Sequence, residues 1–398
     1  MTAPSSSSEL KADASPWQGL GRALALALAP LVALGFSRFA YALLLPAMQV
    51  DLGWNLAQAG ALNTANGVGY LVGAVAAAPA ARRWSAARVF SLSMAVSALA
   101  LLLSGLPHGW PAFMVLRAAG GVSTAAAFVL GTALATQAMP QRPASALALY
   151  FAGSGVGMVL AGSVLPYWLE SSADGWRIAW VLMGIGAALA AWIATAAARK
   201  LPAAERATTE RHPAGGLRPL WPSLAANVLY GAGYVGYTTF VIALLRQQGH
   251  GSLAASAFFC ALGLASLLAS PAWGQGLERM RVGRGFALVC ACVALGTLPV
   301  LLSSALPWLA LSALTFGASF MAGPAAVSLA AHRVLPPSLL ATGLGALTAA
   351  FSLGQSIGPL AAGWIADATG RLEAGLWLGP IILLAAAAVS LKQRPAPN

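Results

Sequence analysis

The sequence predicts an all-α integral membrane protein with twelve transmembrane helices arranged as two six-helix bundles. Three observations predict it. The chain is 59% hydrophobic and 8% charged, where soluble domains carry about 25% charged residues. Apolar runs of the length that spans a bilayer as a helix, about 20 residues, recur from end to end. The two halves of the chain also repeat each other.

The spans read as 20–48, 56–80, 86–106, 110–138, 144–168 and 176–198, then 219–245, 252–274, 285–305, 307–333, 339–365 and 375–391. The polar, Ser-rich segment 1–19 is expected to be a disordered cytoplasmic N-terminus. The run after it is too long for a cleaved signal peptide and reads as an uncleaved span. One long polar stretch, the central cytoplasmic loop 199–218, separates an N-terminal bundle (20–198) from a C-terminal bundle (219–391), and 392–398 is a cytoplasmic tail.

Lys and Arg in short loops set orientation. With the N-terminus in the cytoplasm, seventeen of the 22 lie on the cytoplasmic side. Arg177, Arg246 and Arg371 lie opposite, and Arg38 and Arg117 fall inside spans. Both termini are therefore placed in the cytoplasm. A positive balance spread over loops orients a membrane protein rather than binding nucleic acid. Cys260, Cys290 and Cys292 lie in apolar spans without metal-ligand spacing to any His and read as small hydrophobes. No cofactor and no metal are expected.

The repeat is explicit. An offset of 196 residues lays Gly35, Arg38 and Tyr41 on Gly231, Tyr234 and Tyr237, and Arg83 and Arg88 on Arg279 and Arg284. An offset of 201 lays Gly153, Gly157 and Gly162 on Gly354, Gly358 and Gly363. Parallel six-span repeats around a central loop mark a two-bundle transporter with its site between the bundles near the midplane.

Four motifs resemble those of the major facilitator superfamily. The loop after span eight, Gly274 to Arg284 with Leu277, Glu278 and Arg279, is similar to its cytoplasmic loop motif. Arg117-Ala-Ala-Gly120-Gly121 is similar to its span-four Arg motif, and Gly153-Ser-Gly155-Val-Gly157 to its Gly-rich motif. Span eleven carries Gly354-Gln-Ser-Ile-Gly358-Pro359, then Gly363 and Asp367. Within the superfamily, Gly35–Pro46 together with Asn66-Gly-Val-Gly69-Tyr70 resembles the YbfB/YjiJ-type branch. The resemblance implies a transporter fold whose spans one and seven line a central cavity, and it implies a role in proton coupling for Arg117. The first half departs from the loop motif, because no carboxylate lies in Ala76–Arg88.

The candidate substrate residues are polar stripes at helical spacing. Arg38 lies near the middle of span one with Tyr41 one α-helical turn on. Asn63, Asn66 and Tyr70 share a face of span two, and Asn227, Tyr230, Tyr234 and Tyr237 share a face of span seven. Ser154 and Gln355 are candidates of the same kind. Interhelical hydrogen bonding is the competing reading of all these stripes. For gating, Glu278 with Arg279 and Arg284 offers an ion-paired latch or a solvated turn. Gly157 and Gly358 allow close helix approach, and Pro359 bends span eleven. Asp51, at the outer end of span one, is a candidate coupling acid.

Charge separates the readings further. All ten acids fall in loops or at span ends. Arg38 and Arg117 thus have no carboxylate at membrane depth and must face water, backbone carbonyls or an anion. Arg38 is read either as binding an anionic group of the cargo or as a packing residue held by carbonyls freed near Pro46. Enzyme chemistry is not expected. Gly354-Gln-Ser356-Ile-Gly358 lacks the strand–turn–helix context of a nucleophile elbow, no His lies in a span core, and no phosphate loop is present. The expectation is a monomeric secondary transporter of the bacterial inner membrane, moving a small organic anion or polar metabolite, with proton coupling or facilitated diffusion both open. An exporter of amphipathic compounds and a transporter-like sensor or passive pore remain as alternatives.

Overall fold

A computed structural model describes residues 16–106, 109–172, 174–202 and 214–395. The segment before residue 16 and most of the central loop lie outside the described residues. The described chain is helical with no strand. Twelve rods follow one another: α1 (Trp17–Leu52), α2 (Leu56–Trp84), α3 (Ala86–Leu103), α4 (Trp110–Ala138), α5 (Pro143–Ser171), α6 (Gly175–Ala198), α7 (Trp221–Gln247), α8 (Ser252–Arg279), α9 (Arg284–Leu302), α10 (Leu306–Val334), α11 (Pro337–Thr369) and α12 (Leu372–Ser390). A short 3-10 helix, Ala214–Leu220, leads into α7.

Among the described residues, eleven helices are long and apolar enough to cross a membrane. The expected second span, α2, falls outside that set because Gln58, Asn63, Thr64, Asn66, Arg82 and Arg83 dilute it. Its 29 residues still extend about 43 Å, more than a bilayer core. Arg82 and Arg83 end α2, Arg279 ends α8, and His332 and Arg333 end α10. Each helix thereby runs past its expected apolar limit, with cations at the negative end of its dipole.

Two rods are broken where polar side chains must enter. In α1, Pro30 supplies no N–H, and Leu31–Phe39 winds as a π-helix before an α-helix resumes at Tyr41. The Ala40 amide reaches back to Gly35 O at 2.9 Å, the i→i+5 bond of that wider turn. In α10, the helix stops at Phe320 and restarts at Gly323.

Glycine lets the rods touch backbone to backbone. In the first half, Gly35 of α1 meets Gly157 of α5, and Gly121 of α4 meets the Asn66 carbonyl of α2. In the second, Gly354 and Gly358 of α11 lie on Val228 and Ala232 of α7. The two halves meet along α2–α11, where a Cβ at Gly60 would overlap the Pro359 carbonyl and one at Gly363 the Leu56 carbonyl. They also meet along α5–α8, at Gly155 on Gly263 and Gly162 on Cys260. These crossings run from mid-helix to the end carrying Asp51 and Asp367. Toward the other end, Gly345 of α11 faces open space. The halves are closed at the end carrying Asp51 and Asp367.

Candidate functional site

The π turn in α1 decides which way its polar residues face. At this pitch, residues three apart do not share a face, so Arg38 and Tyr41 separate, unlike the α-helical expectation. Tyr41 is fully buried, donates to Ala59 O at 2.9 Å, and lies under Arg117, whose guanidinium carbon is 4.9 Å from the ring centroid. Arg38 instead lies over Tyr70 of α2, 4.6 Å from the ring centroid, and faces Tyr234 of α7.

A backbone carbonyl partner falls to Arg117, at Ser37 and not near Pro46. Its Nη1 donates to Ser37 O in the π turn, and its Nη2 donates to Asn63 Oδ1 at 2.9 Å. The Asn63 amide then donates to Thr239 Oγ1 of α7 at 2.7 Å. Asn66 closes the cluster by donating to Arg117 O at 3.2 Å. The chain of bonds runs from α4 through α1 and α2 into α7, and so ties the two halves. Asn63→Ala leaves Arg117 Nη2 without a partner inside the protein and removes the bond into α7, where the Thr239 hydroxyl still donates to Val235 O at 2.6 Å. We expect a loss of roughly 1–3 kcal/mol, read as a lower thermal midpoint in detergent, and an unchanged midpoint would refute the tie.

Arg117 keeps only its Nε without a partner, whereas Arg38 keeps a terminal nitrogen so. Arg38 is 6% exposed, its Nη2 has no hydrogen-bond partner, and no acid lies at its depth. Gln355 of α11 is 1% exposed, and both its Oε1 and Nε2 lack partners. Gln355 sits against Gly67, one turn before Tyr70, and one turn after Phe351, which stacks on Tyr234 at 5.8 Å between centroids. Arg38, Tyr70, Tyr234 and Gln355 are therefore brought together from α1, α2, α7 and α11. An apolar wall stands beside them, with Phe320 edge-on to Phe39 at 5.6 Å and packed on Tyr234 at 5.7 Å.

The other candidates are held within their own surroundings. Asn227 donates to Leu347 O at 2.8 Å, Tyr230 to Phe320 O, and Ser154 to Phe151 O at 2.7 Å. Tyr237 shares a 2.8 Å hydrogen bond with Ser312. Asp51 accepts from Trp176 Nε1 at 3.0 Å and lies 3.8 Å from Arg177. Glu278 and Arg279 are exposed, and among the described residues Glu278 makes no ion pair. The expected latch is replaced by Arg333, which donates to the Glu278 and Met280 carbonyls and so finishes the end of α8. Arg284 is exposed at the start of α9. Gly157, Gly358 and Pro359 all lie at the helix contacts described above.

One polar contact had no role in the sequence reading. Asp367, at the end of α11, accepts from the Leu56 amide at 3.0 Å and the Ala57 amide at 2.7 Å. It thus caps the N-terminus of α2, whose own capping box joins Asn55 and Gln58. A carboxylate eight residues beyond Pro359, at the end of a Gly-rich span, is its one sequence signal.

This architecture, helical throughout with two halves closed at one end around buried polar side chains, defines a multi-pass membrane transporter fold. The chain belongs to the family described as "Uncharacterised MFS-type transporter YbfB", whose model matches residues 30–391. A Haemophilus influenzae protein named for metabolite transport is 29% identical over 159 residues. That match spans 40% of this chain and 38% of the relative, well under half of either. Among solved structures, the inward-open xylose transporter of E. coli superposes with a TM-score of 0.74 at 14% identity, covering 95% of this chain and 96% of that one. An inward-facing bacterial homologue of the human lysosomal transporter Spinster gives 0.69 at 16% identity, covering 95% of each chain. At these identities the likeness is one of fold.

Proposed function

We propose that the chain is a secondary transporter that works by alternating access of two six-helix bundles, 20–198 and 219–391, and that its cargo is a small organic anion or polar metabolite. One observation carries the choice of cargo. Arg38 and Arg117 are two buried guanidiniums within electrostatic reach of each other, with no carboxylate at their depth. Each keeps one buried donor without a partner, Nε on Arg117 and the terminal Nη2 on Arg38, but both terminal nitrogens of Arg117 are held, by a carbonyl and an amide. An anion at Arg38 would relieve both the unmade hydrogen bond and the like-charge repulsion. Gln355 would serve a second polar group, and Tyr234, Phe351 and Phe320 would cover a carbon skeleton.

The site offers no acid to titrate, which favours exchange or facilitated movement of the anion over a proton relay at the midplane. The bias of Lys and Arg supports cytoplasmic termini in a bacterial inner membrane, and the reading is of a monomer. The test is a thermal-shift screen of purified protein against organic acids, sugars, amino acids and lipophilic cations, followed by counterflow of hits in proteoliposomes. A ligand at 100 times its dissociation constant adds about 2.7 kcal/mol. The reading expects organic acids to stabilise the protein and to show saturable counterflow. A shift from lipophilic cations alone would favour the exporter, and binding without counterflow a sensor.

A further inference from the structure

We infer that the groove between α3 and α6 is a binding site for one anionic phospholipid of the surrounding bilayer. Its phosphate would be held at Arg88 and Arg199 and one acyl chain would lie along the groove. The groove has a volume of about 690 Å³, within the roughly 300–1,000 Å³ of small-molecule sites. Ser91, Leu99, Ala191 and Trp192 line it below the two arginines. It is apolar along its length, and Leu99 and Trp192 are 53% and 71% exposed on the outside of the helix pair.

The length accommodates one acyl chain. From Arg88 to Leu102 on α3 the groove covers about 21 Å, and from Ala188 to Arg199 on α6 about 16 Å, at 1.5 Å per residue. Half of a bilayer core is roughly 15 Å thick. With the arginines at the headgroup level, the groove reaches about the midplane on α6 and runs past it on α3 to Leu102, near the other end of that 18-residue helix, so an acyl chain can lie along it.

The charge is uncommitted. Arg88 and Arg199 are both exposed, and neither has an ion-pair partner among the described residues. Arg83 and Lys200, also exposed, stand at the same end. Such a basic mouth above an apolar groove complements a phosphodiester with its chains, and it selects anionic over zwitterionic headgroups.

The pseudo-symmetric pair in the second half shows that the fold does not demand this opening. There, Ser390 of α12 donates to Gly283 O at the start of α9, at 2.8 Å. Gln393 packs on Gly283 and donates to Pro219 O at 2.9 Å. The protein fills that mouth with its own polar groups and leaves the α3–α6 mouth to a ligand.

The test is native mass spectrometry of full-length protein released from micelles containing equimolar phosphatidylglycerol and phosphatidylcholine. The expected result is one retained phosphatidylglycerol in preference to phosphatidylcholine. In the Arg88→Gln/Arg199→Gln variant the preference falls about tenfold, while Lys392→Gln, a charge loss at the other half, leaves it unchanged. Ala95→Phe, which fills the groove from its lipid-exposed side, removes the retained lipid whatever its headgroup, and it serves if the double variant fails to fold. Equal retention of the two lipids, an equal loss in Lys392→Gln, or lipid kept in Ala95→Phe overturns the proposal. A lipid-independent dimer that buries the groove overturns it in favour of a second copy of the chain.

Discussion

Arg38→Gln is expected to make the empty protein more stable and nearly blind to its ligand. The wild-type residue keeps a buried charged N–H without a partner. An unmade bond of this kind costs about 1–3 kcal/mol, and more when the group is charged. Gln removes the charge, so the thermal midpoint without ligand should rise. The same change removes a charge-assisted bond of about 1.5–3 kcal/mol to an anionic ligand, so affinity should fall roughly 10- to 100-fold. The opposite signs matter. A packing arginine held by carbonyls would lose stability on substitution and leave any ligand-induced shift in place. Arg38→Lys separates charge from geometry, because the ammonium keeps the charge but not the planar fork that grips a carboxylate in two places. Partial recovery by Lys would point to a carboxylate or phosphate held bidentately. Thermal-shift titration of all three proteins against the organic acid found in the screen reads both signs in one experiment. Lower stability of the empty Gln variant together with an unchanged ligand shift would end the anion-site reading.

What the sequence made legible follows from what each pattern depends on. Apolar length and glycine spacing are local, and they placed the rods and the contacts of Gly157 and Gly358 within a few residues. The stripe on α2 was also legible, because Asn63, Asn66 and Tyr70 sit on an unbroken α-helix. The stripe on α1 was not. Counting at 3.6 residues per turn puts Arg38 with Tyr41, and the π turn undoes that count. Pro30 and Gly35 were visible, but neither by itself marks a π turn. Arg117 looked like a counterpart of Arg38. Its quiet placement depends on a Ser37 carbonyl that only the three-dimensional break in α1 presents. Of the two readings of Glu278, an ion-paired latch or a solvated turn, sequence could not choose: Glu278 is exposed here, and Arg333 takes the carbonyls of α8 that the helix leaves over.

Asp367 is the long-range case, at a sequence separation of 311 from Leu56, and it leads to the second large expected effect. Two charge-assisted bonds from one carboxylate to the first amides of α2 join the halves at the closed end. The partial positive charge of the helix N-terminus strengthens them. Alternating access requires this end to part, which strips the cap and returns two amides to water. Asp367→Asn keeps the shape, loses the charge, and offers one acceptor oxygen in place of two. At an exposed site the loss is about 0.3–1 kcal/mol, enough to move the balance between closed and open forms of this end by roughly two- to fivefold. Spin labels at Val50 and Ala368, both exposed at that end on opposite halves, measure it directly. The variant should populate a longer distance that the wild type barely shows. Because the observed close contacts of Gly60 and Gly363 remain, the short distance should persist as the major population. An unchanged distance distribution would mean that those backbone contacts hold the end shut alone, and that Asp367 only finishes a helix.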